Sequence, residues 1–210
     1  DPWDAFLAAR MGFVKARGVR SVPEATNEER ALSRLTRAHR RLMRERKRRG
    51  AQLRALLLEL SPEMLHSKWE GPKATSKAML YILKRWPGLV GLDRAHHRSI
   101  EVILRQCRYG ERAERMAKLI RAAAKQISIV GAERKAISIE AGLLVREILS
   151  IDDELKEVYR EVVPLVDSHL VGIKLLEIPS IGYLTAGILV SELLPIARQA
   201  TEAQSATYSG

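Results

Sequence analysis

The 210-residue chain is long enough for one large domain or two small ones, and 46% apolar residues support a packed core. With only 5% aromatics, 13 Gly and 8 Pro, it is not a disordered chain, a collagen-like repeat or an aromatic-rich β-sandwich; the profile fits a helical protein rich in Ala, Leu, Ile, Arg and Glu. A formal net charge of +11 points to polyanionic partners.

In chain order, Asp4 to Arg17 reads as a helix because Phe6, Leu7, Met11 and Val14 recur at helical spacing; Gly18 ends it. Val19 to Val22 is a short extended piece closed by Pro23. A long helix follows, with Asn27 as the expected N-cap and Glu28 and Glu29 in its first turn. Leu32, Leu35, His39, Leu42, Arg46, Arg49, Leu53, Leu56 and Leu60 form a heptad seam, apolar at both ends and polar in the middle. The polar middle is expected to mark where the helix leaves its partner and faces nucleic acid, and Gly50 is a possible break.

Ser61-Pro62-Glu63 starts a new helix, and shorter helices are expected near 62–67, 73–86, 93–108 and 111–127, punctuated by Pro87-Gly88 and Gly110. A second long helix spans roughly 132–164. Its seam, Ile137, Ala141, Leu144, Ile148, Ile151, Leu155, Val158, Val162 and Leu165, steps by 4 and 3 and is apolar throughout. The two long helices pair with each other, with a second subunit, or both; an amphipathic core helix of one compact bundle is the alternative. The expected fold is mainly α: long coiled-coil helices, a small helical module between them, and a C-terminal helix-hairpin-helix.

The charge is unevenly placed. Residues 1–60 carry a net +8, residues 61–130 another +8, and residues 131–210 a net −5. The densest stretch is Arg37 to Arg54, where Arg37, Arg40, Arg41, Arg44, Arg46, Lys47, Arg48, Arg49 and Arg54 face a single acid, Glu45. A merely solvated helix face normally mixes signs. Guanidinium forks bind phosphate bidentately and stack on bases, so Arg37, Arg40, Arg41, Arg44, Lys47 and Arg48 are the candidate nucleic-acid contacts.

Leu175 to Leu189 contains Ile178-Pro179-Ser180-Ile181-Gly182 followed by Ala186 and resembles a helix-hairpin-helix. Gly182 permits a tight turn, and free N–H groups at Ser180, Ile181 and Gly182 are placed to hold a phosphate oxygen without reading bases. Ser180 stands where the first glycine of such a motif is commonest. A purely structural hairpin is the alternative, since this segment is net acidic.

The order of these features carries a resemblance. Asp1-x-x-Asp4-Ala5-x-Leu7-Ala8 opens the chain. Leu175-x-x-Ile178-Pro179-x-Ile181-Gly182-x-x-x-Ala186, Arg198 and Ala206-x-Tyr208-x-Gly210 close it. Joined by long helices, these ends resemble the DEDD transposases of the insertion-sequence 110 family, relatives of the pilin-gene invertase. The resemblance implies DNA recombinases with an N-terminal RuvC-like ribonuclease-H fold bearing four acids, a helical coiled-coil region, and a C-terminal helix-hairpin-helix domain supplying a serine nucleophile. Some members use a structured guide RNA, and they assemble as dimers or tetramers.

By motif match, Asp1 and Asp4 are the third and fourth acids, catalytic ligands of Mg²⁺, a hard cation that prefers carboxylate oxygens. Residues 1–24 are then the tail of the RuvC-like α/β domain, residues 25–170 the nucleic-acid-binding and oligomerisation region, and residues 171–210 the start of the transposase domain. The implied setting is prokaryotic cytoplasm at the nucleoid. The family's first two acids and its serine would lie outside the sequence, so it reads as a catalytically dead fragment; Ser209 belongs to the Tyr-x-Gly motif and is not the nucleophile. Gln199 stands for a usual aromatic and Ser205 for a usual Leu. A non-enzymatic helical nucleic-acid-binding or scaffold protein is the alternative reading.

Other chemistries have little support. Cys107 is the only cysteine, which excludes an internal disulfide and fits a reducing compartment. His96 and His97 are adjacent, are expected on different helix faces, and have no second thiol nearby for zinc. The most apolar stretch, Leu170 to Val190, is broken by Lys174, Glu177 and Pro179, so no membrane span is expected. Trp69, Tyr81 and Trp86 flank basic residues and could stack on bases, although core packing is the commoner role for scarce aromatics.

Overall fold

The computed structural model describes residues 25–66 and 68–193. The expected Asp4–Arg17 helix, the Val19–Val22 segment, Asp1, Asp4 and the Arg198 to Gly210 signature lie outside the described residues. The described chain is mainly helical, with seven α-helices and no strand among the described residues. They are α1 (Asn27–Leu60), α2 (Lys77–Arg85), α3 (His97–Gln106), α4 (Ala113–Lys125), α5 (Gly131–Asp167), α6 (Leu170–Leu176) and α7 (Tyr183–Ile188). Short 3-10 turns at Pro62–Leu65, Pro87–Leu89 and Gly110–Arg112 fall where Pro and Gly punctuate the sequence.

α1 runs unbroken through Gly50, and its cap differs from the expected one. Thr26, not Asn27, caps it: Thr26 Oγ1 accepts from the Glu29 N–H at 3.2 Å, and the Thr26 N–H donates to Glu29 Oε2 at 2.8 Å. This reciprocal capping box satisfies two groups that the helix itself cannot. Asn27 instead accepts from Arg30 Nη2 at 2.9 Å. Thr26→Ala is expected to destabilise the protein by about 1 kcal/mol, and Thr26→Ser to retain most of that. The urea midpoints of the two variants check this, with equal midpoints contradicting the cap.

The described chain divides into two compact units. Residues 37–160 form one, with a core built from the last two turns of α1 (Leu53, Leu57, Leu60), the inner faces of α2 to α4, and the first half of α5. Helix α2 shows the logic. Ala78, Met79, Leu80, Ile82 and Leu83 are buried, while Lys77, Tyr81, Lys84 and Arg85 are exposed. α3 lies against α4, where Ala113, Ala117, Ala123 and Ala124 are all buried. Their small side chains permit close helix approach around Ile100, Leu104 and Ile120.

The α5 seam is directed inward. Ile137, Ala141, Leu144, Ile148 and Ile151 are buried, and Leu155 and Val158 are partly so. Arg46 pairs with Asp152, and Arg49 Nε lies 2.9 Å from Glu147 Oε2. Because the partner number falls as the α1 number rises, the two helices run antiparallel within one chain. This corrects the expectation for the polar middle of the first seam: Arg46 and Arg49 do not leave the partner helix but bridge to it.

The second unit takes residues 25–36 and 161–193 of the described chain. Its buried residues include Leu32, Thr36, Val162, Val166, Ala186 and Val190. Gly187 lies against Leu32, Thr36 and Val162, where a Cβ would stand 3.4 Å from each side chain, an ordinary van der Waals contact. Glu29 is fully buried, with Oε1 3.8 Å from His169 Nε2; the other ring nitrogen of His169 accepts from the Gly172 N–H at 3.3 Å and caps α6.

Candidate nucleic-acid interface

At 100° per residue, Arg37, Arg40, Arg41, Arg44, Lys47, Arg48 and Arg54 fall within about 140° of the α1 circumference. All seven are exposed. The opposite arc carries Arg46, Arg49, Leu53, Leu56 and Leu60, the residues that meet the rest of the unit. The basic stripe is therefore the outer face of a helix fixed along its inner face, about 25 Å long from Arg37 to Arg54 at 1.5 Å per residue.

Three features keep this face positive. Its single acid, Glu45, accepts from Arg48 Nη2 at 2.7 Å and from Arg49 Nε at 2.9 Å. The hydrogen bond from Arg48, with the Arg48 and Arg49 charges beside it, holds the Glu45 carboxyl below its ordinary range. Arg40, Arg41, Arg44 and Lys47 pair with no carboxylate among the described residues. The acids of α5 that approach α1, Glu147 and Asp152, neutralise Arg49 and Arg46 on the inner face and leave the outer face alone.

The hairpin formed by α6 and α7 carries only two charged residues, Lys174 and Glu177. Ser180 adopts φ +74°, the left-handed conformation that favours glycine and explains why glycine is commonest at that motif position. Gly182 is the N-cap of α7 in an extended conformation. The Ile181 N–H donates to the Ile178 carbonyl at 3.1 Å, so this donor is committed within the turn and is not available to a phosphate.

The remaining candidates separate clearly. Trp69 packs partly buried against the core, with its indole N–H donating to the Pro72 carbonyl at 3.2 Å. Trp86 also packs on the core, with the Arg85 guanidinium 4.8 Å from its ring centroid. Tyr81 alone of the three is exposed. The imidazoles of His96 and His97 do not diverge as expected. His96 is the cap preceding α3, and the two rings stack with centroids 4.4 Å apart. Burial pushes the Cys107 thiol above its ordinary value.

Among the described residues no three His, Cys, Asp or Glu side chains converge to hold a metal ion. No helix among the described residues is long and apolar enough to cross a membrane.

Tyr81, which the sequence marks as flanked by basic residues, shares the exposed face of α2 with Lys77 and Lys84 at i, i+4 and i+7 spacing.

Residues 1–62 match the family model of the DEDD transposases of the insertion-sequence 110 type, described as a transposase. No curated protein and no solved structure matches the chain.

Proposed function

We propose, on the match of residues 1–62 to the transposase family model, that the chain is part of a transposase of the insertion-sequence 110 DEDD family and that the α1 stripe is the nucleic-acid contact of a DNA recombinase. One observation carries this reading. The matched residues include an outer helix face with seven exposed cations, whose single acid is already held by two arginines. Such a face binds the phosphate backbone without reading sequence, which positions DNA for chemistry performed elsewhere in the protein.

Asp1 and Asp4 are proposed to contribute two carboxylates to a divalent-cation site by family resemblance. A bound metal would polarise a scissile phosphate or activate a nucleophile. The α6–α7 hairpin is proposed as the start of the helix-hairpin-helix transposase domain, supported by the glycine-like backbone of Ser180. A structured guide RNA remains a family-derived partner of the same stripe. A homo-oligomer is likewise proposed by resemblance. The first half of the α5 seam is filled by the chain's own core, so a dimer or tetramer would use another face. The cytoplasmic, nucleoid-associated setting follows from the same resemblance.

The test is the salt dependence of duplex-DNA binding by the 210-residue chain and its Arg40→Ala/Arg41→Ala/Arg44→Ala/Arg48→Ala variant, read by fluorescence anisotropy. Loss of four phosphate contacts is expected to lower the slope of log K against log salt by about 3 to 4. An unchanged slope removes the stripe from the interface. The second reading, a non-enzymatic helical nucleic-acid-binding or scaffold protein, shares this result. It is distinguished by DNA strand transfer, which only the recombinase reading requires.

A further inference from the structure

The unit formed by residues 37–160 carries an acidic edge beside its basic stripe. On α5, Glu133, Glu140, Glu147 and Glu154 recur every seventh residue and are all exposed. At 100° per residue, that spacing holds them within about 60° of the circumference over about 32 Å. Glu157, also exposed, lies one turn past Glu154. The cations of α5 lie elsewhere. Arg134 donates to the Leu89 carbonyl at 3.5 Å. Lys135, Arg146, Lys156 and Arg160 each stand about 80° or more around the helix from every glutamate of the heptad series. Glu140 pairs with no cation among the described residues, and Glu154 accepts from the Ser150 hydroxyl at 3.2 Å.

A run of contacts joins this edge to the α1 stripe. Arg48 Nη2 and Arg49 Nε donate to Glu45 Oε1 at 2.7 Å and 2.9 Å, and Arg49 Nε lies 2.9 Å from Glu147 Oε2. The pairs Arg46–Asp152 and Arg49–Glu147 also set the register of the two antiparallel helices. By that register Glu154 stands level with Arg44, and Glu147 with Arg49. Arg41, Arg44 and Arg48 on α1 and Glu147 and Glu154 on α5 therefore run side by side, as the basic and acidic edges of one face. Glu59, which follows the stripe on α1, marks where the basic edge ends.

We propose that this two-edged face docks a second copy of the chain, about a two-fold axis running along the boundary between the edges. Such an axis sets the Arg41, Arg44 and Arg48 edge of each copy against the Glu147 and Glu154 edge of the other, so both halves of the contact form at once. A face of one sign could not pair with itself in this way. Exposed ion pairs are individually weak, so the contact depends on several of them and opens as salt rises. It also yields its arginines to a denser polyanion. Phosphate backbone is that polyanion: the glutamates of the second copy occupy the stripe until nucleic acid displaces them. The displacement rests on the nucleic-acid reading of the stripe, whereas the pairing does not.

The test is sedimentation velocity of the 210-residue chain at about 0.1 M salt, where screening over about 10 Å suppresses repulsion between chains of net charge +11 but not contact pairs. The original chain is expected to dimerise there and to be monomeric at about 1 M salt. Arg44→Glu and Glu154→Arg are each expected to weaken the dimer by about tenfold or more, since every reversal counts twice in a two-fold pair. An equimolar mixture of the two variants is expected to restore the dimer, because reversed charges again meet opposites; recovery on mixing also shows that both variants are folded. An original chain that stays monomeric, variants that dimerise as it does, or a mixture no tighter than its components overturns the proposal. A short DNA duplex added to the original chain is expected to convert the dimer into complexes holding one chain each. Binding of duplex that leaves the dimer intact overturns the displacement. The duplex salt slope of the four-arginine variant is a separate measurement: an unchanged slope there removes the nucleic-acid reading and leaves the pairing standing.

Discussion

Gly88→Ala is expected to destabilise the unit formed by residues 37–160 by about 2–5 kcal/mol, while Gly91→Ala, three residues on, costs only about 1–2 kcal/mol. Both glycines have positive φ, +57° at Gly88 and +74° at Gly91, so an L-residue is strained at either. They differ in what a Cβ would meet. At Gly91 nothing lies within 4 Å. At Gly88 the new carbon would fall 2.7 Å from Ser138 Cα and 3.1 Å from Ser138 N, both backbone atoms of α5. A flexible side chain could move aside, but a helix backbone tied by its own hydrogen bonds does not.

That contact is how the Pro87–Leu89 turn docks on α5. The Ser138 hydroxyl donates to the Pro87 carbonyl at 2.8 Å, and Gly142, one turn on, leaves space for the Pro87 ring. The turn directly follows α2, so opening it shifts the element that presents Tyr81. Urea unfolding of the two variants checks the prediction through the emission of Trp69 and Trp86. Equal losses at the two sites would mean that backbone conformation alone, and not the approach to Ser138, makes Gly88 necessary.

Periodicity made the helices legible, while partnership was not legible from it. The 4,3 spacing from Ile137 to Leu165 located α5 and its inward face because an apolar seam needs only local sequence to be recognised. Pro87-Gly88 and Gly110 marked breaks for an equally local reason: Gly88 and Gly110 both adopt positive φ. The inner arginines were different. Arg46 and Arg49 sit at seam positions, but their carboxylates arrive from α5, with Asp152 separated from Arg46 by 106 residues. No local pattern states that a cation on a seam will find such a partner. The Thr26 cap was legible, since Thr26-Asn27-Glu28-Glu29 is a capping-box sequence; Asn27 is simply also a good cap by type.

Helix phase decides what each arginine does. The net −5 of residues 131–210 is an average over positions with different partners. Glu147 and Asp152 approach the inner side of α1 and meet Arg49 and Arg46. These pairs are part-exposed, so each adds at most about 1 kcal/mol of stability. Their larger consequence is geometric. They fix the rotation of α1 about its axis, and that rotation turns Arg40, Arg41, Arg44 and Arg48 outward together. A rotation of α1 by two residues, about 200°, would turn the same charges together toward the core. The basic stretch is a surface because the acidic helix beside it fixes its register.

The second large effect is expected from Leu83→Ala, a loss of about 2–5 kcal/mol at a position two residues from the exposed Tyr81. Leu83 is fully buried on the inner face of α2 in the core shared with α1, α4 and α5. Truncation removes its transfer free energy and leaves a cavity that helices fixed at both ends close only partly. Leu143→Ala is the matched control: the same atoms are lost at a position 47% exposed on α5, and the expected cost is below about 1 kcal/mol. The urea midpoint should fall for Leu83→Ala with an unchanged m-value, since the unfolded surface is the same. The duplex-DNA salt slope of Leu83→Ala, measured below its unfolding transition, should equal that of the original chain, because none of the α1 outer cations touches Leu83. A midpoint loss no larger than that of Leu143→Ala would show that the α2 inner face is not part of the core.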